Sequence, residues 1–138
     1  MTPDPSAEWS LSQNDALATG LAHLTKGEFL LAHDRFEDAW REAILRPRLV
    51  FHGLAQLAAS YHQLTLGRGR AAVRTWHKAR AKLTAADALS PAFAAEVDAF
   101  FAQLGLSEEG PRFVDLARVG ATQRFPLVSE EMLHSPSA

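Results

Sequence analysis

From Leu11 onward, apolar residues recur every three or four positions, the spacing of α-helices that bury one face. In "NDALATGLAHL" this puts Leu17, Leu21 and Leu24 on one side, with Ser12 or Asn14 placed to cap the start and Gly27 to end the helix. A second run, "EFLLAHDRFEDAWREAIL", carries Phe29, Ala32, Phe36, Ala39, Trp40 and Ala43 on one stripe. It is expected to stop at Arg46-Pro47-Arg48, because the residue before a proline is pushed out of the helical region. The third run, from about residue 48 to 66, is apolar almost all round, which predicts a central helix buried on every side. Glycine costs about 1 kcal/mol against alanine inside a helix, so Gly53 in that run predicts close approach by a neighbouring helix.

"GRG" at 67–69 turns the chain into a fourth helix, with Ala72, Trp76, Ala79 and Leu83 inside. Arg70, Arg74 and Lys78 form its outward row, and Lys82 drifts behind them. Ser90-Pro91 opens a fifth helix through "AFAAEVDAFFAQL", since serine caps and proline suits the first helical position. After Gly105 no stable period remains, and no stretch argues for a sheet. Gly27, Ala32, Phe36 and Ala39 recur forty residues later as Gly67, Ala72, Trp76 and Ala79. A glycine followed by small, aromatic and small residues at these offsets resembles the second helix of a tetratricopeptide repeat. The expected fold is therefore all-α, a compact bundle of about five helices built from two tetratricopeptide-like hairpins over residues 11–105. Residues 1–10 are expected to be a flexible arm, and 106–138 an extended tail laid over the bundle with its last ten residues frayed.

Charge sharpens this picture. The formal net charge is only -2, yet Ala43 to Ala86 contains no Asp or Glu and eight bases: Arg46, Arg48, Arg68, Arg70, Arg74, Lys78, Arg80 and Lys82. The rest of the chain holds all 16 acids against six bases. Such segregation marks either a surface for an anionic partner or a basic hairpin packed beside acidic helices. Arg68 and Arg70 stand at a helix start, where backbone N–H groups add to their charge. Arg68, Arg70, Arg74 and Lys78 thus form a candidate surface for a protein partner or a weakly held anion. Specific nucleic-acid binding is not expected, because exposed aromatics beside these arginines are scarce and Trp76 belongs to the interior stripe. The absence of cysteine excludes disulfides and thiolate metal sites. "MTPDPSAEWSLSQND" has no signal-peptide pattern, and "LVFHGLAQLAASYHQL" is too short and polar to span a bilayer, so a cytoplasmic location is expected.

Candidate chemistry lies on the second and third helices. His33 and Glu37 are one turn apart, Trp40 continues their strip, and the third helix offers His52, Gln56 and His62. A histidine–carboxylate pair is half of a metal site, but divalent metals take three or four protein ligands. His52, Gln56 and His62 do not share one helix face, so at most His62, or His52 with Gln56, can converge on the pair. No nucleophile with a paired base, metal set or cofactor loop is recognisable, so no catalytic residue, metal or cofactor is assigned. A structural network explains the same residues: His33, Glu37, Trp40, Arg48, Gln56 and His62 would satisfy one another where two helices meet. In that reading Glu37 pairs with an arginine of the 46–48 bend or with His62, and Glu37→Ala costs about 3–5 kcal/mol.

"HDRFEDAW", "RPRLVFHGLAQLAASYHQL" and "GRGRAA", in this order, resemble the signature of a prokaryotic family described only as domain of unknown function 309. The resemblance covers roughly residues 20 to 83 and falls on His33, Glu37, Trp40, Arg48, Gly53, Gln56, His62 and Gly67. This chain departs from that signature at Asp34, His52, Ala55 and Arg68. The resemblance implies a compact all-helical fold and supplies no reaction. Two functions stay open: a small helical interaction or scaffold protein, and a ligand- or metal-binding or hydrolase-like protein using His33, Glu37, Gln56 and His62.

Overall fold

Short links make the first four helices fold back one beside the next. The computed structural model of the chain describes residues 9–115 and 125–133. It contains α1 (Leu11–Thr25), α2 (Phe29–Glu42), α3 (Leu45–Thr65), α4 (Gly69–Ala85), α5 (Pro91–Gln103) and a last turn, α6 (Glu130–Leu133). The described residues form no strand, and the protein is an all-α bundle. The α1–α2 and α3–α4 links turn on glycines with left-handed backbones, Gly27 at φ 76° and Gly67 at φ 78°. Both close the same way. Glu28 N–H returns to His23 O and Arg68 N–H to Gln63 O, each at 2.9 Å, which satisfies a helix-end carbonyl. The repeat seen in the sequence is thus repeated in space, with Ala32, Phe36, Ala72, Trp76 and Ala79 all buried.

The third helix is the centre of the molecule, packed between α2 and α4. Val50, Phe51, Leu54, Leu57, Ala58, Tyr61 and Leu64 are fully covered. Such burial contributes about 1.5–3 kcal/mol for each large side chain. A Cβ on Gly53 would lie 2.7 Å from Leu83 Cγ, so glycine is what lets α4 approach. Two buried hydroxyls of α3 are met by backbone. Ser60 Oγ donates to Ala72 O and Tyr61 Oη to Pro126 O, each at 2.6 Å. Burial, aided by Glu96, holds the Tyr61 hydroxyl well above its ordinary range, so it stays a neutral donor.

Several boundaries differ from the sequence expectation. Helix α1 is capped by Ser10, whose hydroxyl accepts from Gln13 N–H while the Gln13 side chain accepts from Ser10 N–H; neither Ser12 nor Asn14 does this. Trp9 is buried edge-on against Phe51, so the expected arm does not reach residue 10; residues 1–8 lie outside the described part. The α2–α3 break falls at Ala43–Ile44, before Arg46-Pro47-Arg48, and Pro47 sits in the first turn of α3. A first-turn N–H has no partner within the helix, so proline loses nothing there. In the tail, Phe125 packs among Phe29, Tyr61 and Phe100. Leu133 of α6 is fully buried, so the expected fraying does not extend to residues 130–133. Residues 116–124 and 134–138 lie outside the described part. No described helix is long and apolar enough to cross a membrane.

Candidate functional site

Along α2, His33, Glu37 and Arg41 follow at one-turn intervals and meet one another. His33 Nε2 is 3.2 Å from Glu37 Oε2, and Arg41 Nη2 donates to Glu37 Oε1 at 3.1 Å. His33 Nδ1 lies 3.1 Å from Asp34 Oδ1. The strip stays half in solvent, with His33 and Glu37 side chains 28% and 30% exposed. Glu37 therefore does not clasp the 46–48 bend. Its partners are on its own helix, where four-residue spacing brings them without any long-range constraint.

The two arginines of the bend serve backbone carbonyls instead. Arg46 Nε donates to Ala86 O at 2.6 Å, and its Nη2 to Leu133 O at 2.8 Å, tying the start of α3 to the end of α4 and to α6. Arg48 Nη1 donates to Trp40 O and Ala43 O at 3.3 and 3.4 Å, placing a cation at the negative end of the α2 dipole. Arg48 also sits 4.9 Å over the Trp40 ring, while His52 stacks on that ring at 4.4 Å. Burial, then Lys82 and Arg48, lower the His52 pKa below its ordinary 6.5, opposed by Glu37. Trp40, Arg48 and His52 thus come together. His62 makes no hydrogen bond or ion pair with His33 or Glu37, and Gln56 Oε1 is buried without a donor among the described residues. The expected six-residue network does not assemble.

One subset converges in another way. Single ligand atoms of His33, Asp34 and Glu37 lie within 4.8 Å of one another, near enough to share a cation. All three come from α2, and both His33 nitrogens and both Glu37 oxygens already contact other side chains.

The other arrangement lies on the opposite partner of α3. A cavity of about 770 Å³ runs along α4, lined by Arg68, Arg70, Arg74 and Lys78 together with Gln63, Ala71 and Thr75. Its far wall is the tail, which brings Arg112 and Phe113. No carboxylate is among the lining residues, and none of Arg68, Arg74, Lys78 and Arg112 is paired with one among the described residues. Arg70 differs from its neighbours in being held. Its Nε and Nη2 both donate to Gly110 O, at 3.0 and 2.8 Å. Val114 N–H donates to Gly67 O at 2.9 Å. These two links fix the segment between them, and with it the rim of the groove. The first turn of α4 has neither a side-chain cap nor an acidic residue, so its dipole adds positive potential at that end. The four basic residues expected from the sequence are thus brought together. Arg112 and Phe113 were not foreseen, because nothing local in an irregular tail marks where it will lie.

No curated protein and no solved structure matches this chain. The family model described as "Domain of unknown function (DUF309)" matches residues 17–75, from α1 into α4. That stretch holds His33, Glu37, Trp40, Arg48, Gln56, His62 and, of the basic row, Arg68, Arg70 and Arg74. It excludes the Arg112 and Phe113 wall. Over residues 17–75 this chain is similar to the family of domains of unknown function 309.

Proposed function

We propose that this is a non-catalytic interaction protein of the cytoplasm, built on two tetratricopeptide-like hairpins, that takes an anionic partner in the groove along α4. The observation that carries this reading is the groove's lining of five cations and no carboxylate. Like charges gathered without counter-charges repel one another, and an anion relieves that repulsion. Arg48 and Trp40 serve the fold at the α2–α3 seam, which frees the function from depending on them. The test is direct binding of inorganic polyphosphate across a salt series. Binding should weaken linearly with the logarithm of salt concentration, and Arg74→Glu with Lys78→Glu should abolish it. Polyphosphate binding that ignores both substitutions would overturn the reading.

A second reading rests on His33, Asp34 and Glu37, whose ligand atoms converge to within 4.8 Å. Three donors on one helix would leave the remaining positions of a bound divalent cation to water. A rise in melting temperature on adding zinc or manganese, lost in Glu37→Gln, supports it; no rise refutes it.

A further inference from the structure

We infer that the α4 groove is a binding track for single-stranded nucleic acid, in which Phe113 is the platform for a base. This rests on the anion-binding reading and names the anion. The basic row supplies the backbone contacts. Arg70, Arg74 and Lys78 stand one helical turn apart, and the row spans about 12 Å of helix axis. It faces an open trough that admits a flexible chain.

The ring decides between anions. Phe113 is 67% exposed on the rim of a cavity otherwise lined by cations. Polyphosphate has no use for an aromatic ring there, and the carboxylates of an acidic peptide have none either. A nucleic-acid duplex keeps its bases stacked inside and offers none to the ring. A single strand offers both phosphates for the row and unstacked bases for the platform, the combination found in sequence-tolerant single-strand binders. The guanidinium of Arg112 lies 5.7 Å from the Phe113 centroid and adds a cation to the same stack.

The platform is also preset. The Arg70 grip on Gly110 O and the Val114 N–H bond to Gly67 O hold the chain on both sides of Arg112 and Phe113. Leu106 adds a third anchor, lying so close to Gly69 that a Cβ there would come within 2.7 Å of it. A ring held in place before binding loses less freedom when a base stacks on it.

The test uses the full chain and four probes: a fluorescein-labelled uridine 12-mer, the matching thymidine 12-mer, inorganic polyphosphate and a polyglutamate peptide. Both 12-mers should bind, at affinities that fall steeply with salt, and a duplex of the same length should bind more weakly. Phe113→Ala should weaken the 12-mers about tenfold, equivalent to about 1.4 kcal/mol of stacking, and leave polyphosphate binding unchanged. Phe113→Trp should restore the loss. Because Phe113 is largely exposed, neither substitution threatens the core. Equal loss for polyphosphate and 12-mers, or no loss for either, overturns the stacking platform while leaving the anion groove standing. Polyglutamate binding as tight as the 12-mers assigns the groove to an acidic protein and overturns the nucleic-acid reading. Failure of all four probes to bind refutes the anion groove itself. Uridine and thymidine arms that differ identify RNA or DNA as the form preferred; equal binding assigns both.

Discussion

Gly53→Ala places two effects of opposite sign on one carbon atom. Alanine is the better helix former by about 1 kcal/mol, so propensity alone makes the variant more stable. Its Cβ, however, would lie 2.7 Å from Leu83 Cγ and 2.8 Å from Leu83 Cδ2. That is about 1 Å inside normal carbon–carbon contact. Leu83 is fully buried and has no solvent to move into. Overpacking of this kind costs about 1–3 kcal/mol, which leaves Gly53→Ala destabilised by about 1 kcal/mol in net. Leu83→Ala removes both crowded atoms at its own cost of about 2–5 kcal/mol. In that background no remaining atom lies nearer the new Cβ than Ala79 O at 3.4 Å, an ordinary contact. Gly53→Ala should then be stabilising by about 1 kcal/mol. The coupling between the two sites is thus about 2 kcal/mol, larger than the error of either single measurement. Urea unfolding of the wild type, both single variants and the double variant measures it, provided the slopes agree. Additivity within about 0.5 kcal/mol, or a Gly53→Ala protein more stable than wild type, would refute the close packing of α3 on α4.

Arg46→Met should lower stability by about 1.5–3 kcal/mol through loss of the charge-assisted bonds to Ala86 O and Leu133 O. Thermal melts read this out, and a loss under half a kilocalorie, roughly, would show those carbonyls to be solvated instead. Glu37→Ala should cost less than about 1 kcal/mol, because its ion pairs with His33 and Arg41 are local and half in solvent. A loss of several kilocalories in the same melts would restore the clasp. His52 should titrate below 6.5 by nuclear magnetic resonance, and Lys82→Met should raise its pKa by removing a neighbouring positive charge. In the interval between that lowered pKa and 6.5 the unfolded chain binds more proton than the native one. His52 therefore adds stability above 6.5 that is lost as pH falls through the native value. A His52 titration above 6.5 would contradict the packing of its ring on Trp40.

The elements most legible in the sequence are those fixed by local pattern. Helical periodicity placed five helices, and the glycines at 27 and 67 marked two of their ends, because backbone sterics act over a few residues. Ser90-Pro91 was legible for the same reason, and Ser90 Oγ accepts from Phe93 N–H at 3.1 Å. Gly53 was legible as a close approach, though not its partner Leu83. The errors share a different cause. Arg46 and Glu37 looked like natural partners by charge, yet Arg46 finds carbonyls of Ala86, forty residues on, and of Leu133. Charge complementarity names what a group can pair with, while the packing of α3 decides what it reaches. Phe113 was invisible as a site residue because an aromatic in an aperiodic tail reads as a packing anchor. The only available hint was its neighbour Arg112.

The structure also divides the acid-free segment into two kinds of cation. Arg46 and Arg48 end on backbone carbonyls, and Arg80 meets Asp98 at 2.6 Å alongside the Trp76 indole. Those three are accounted for by the fold, in keeping with a basic hairpin packed beside acidic elements. Lys82 acts on His52 at the α2–α3–α4 junction. The remaining four, Arg68, Arg70, Arg74 and Lys78, share one groove with Arg112 and receive no carboxylate from its walls. Packing does not require this arrangement, since Ala72, Val73, Trp76, Ala79 and Leu83 bury the inner face of α4 without them. An ordinary solvated helix face intersperses glutamates that gain from four-residue pairing with lysine and arginine. Helix α4 has none on any face. The like charges cost some stability through mutual repulsion, and no carboxylate among the described residues pairs with them to offset that cost. An anion bound from outside would, which is what favours the groove, rather than the histidine strip of α2, as the proposed partner site.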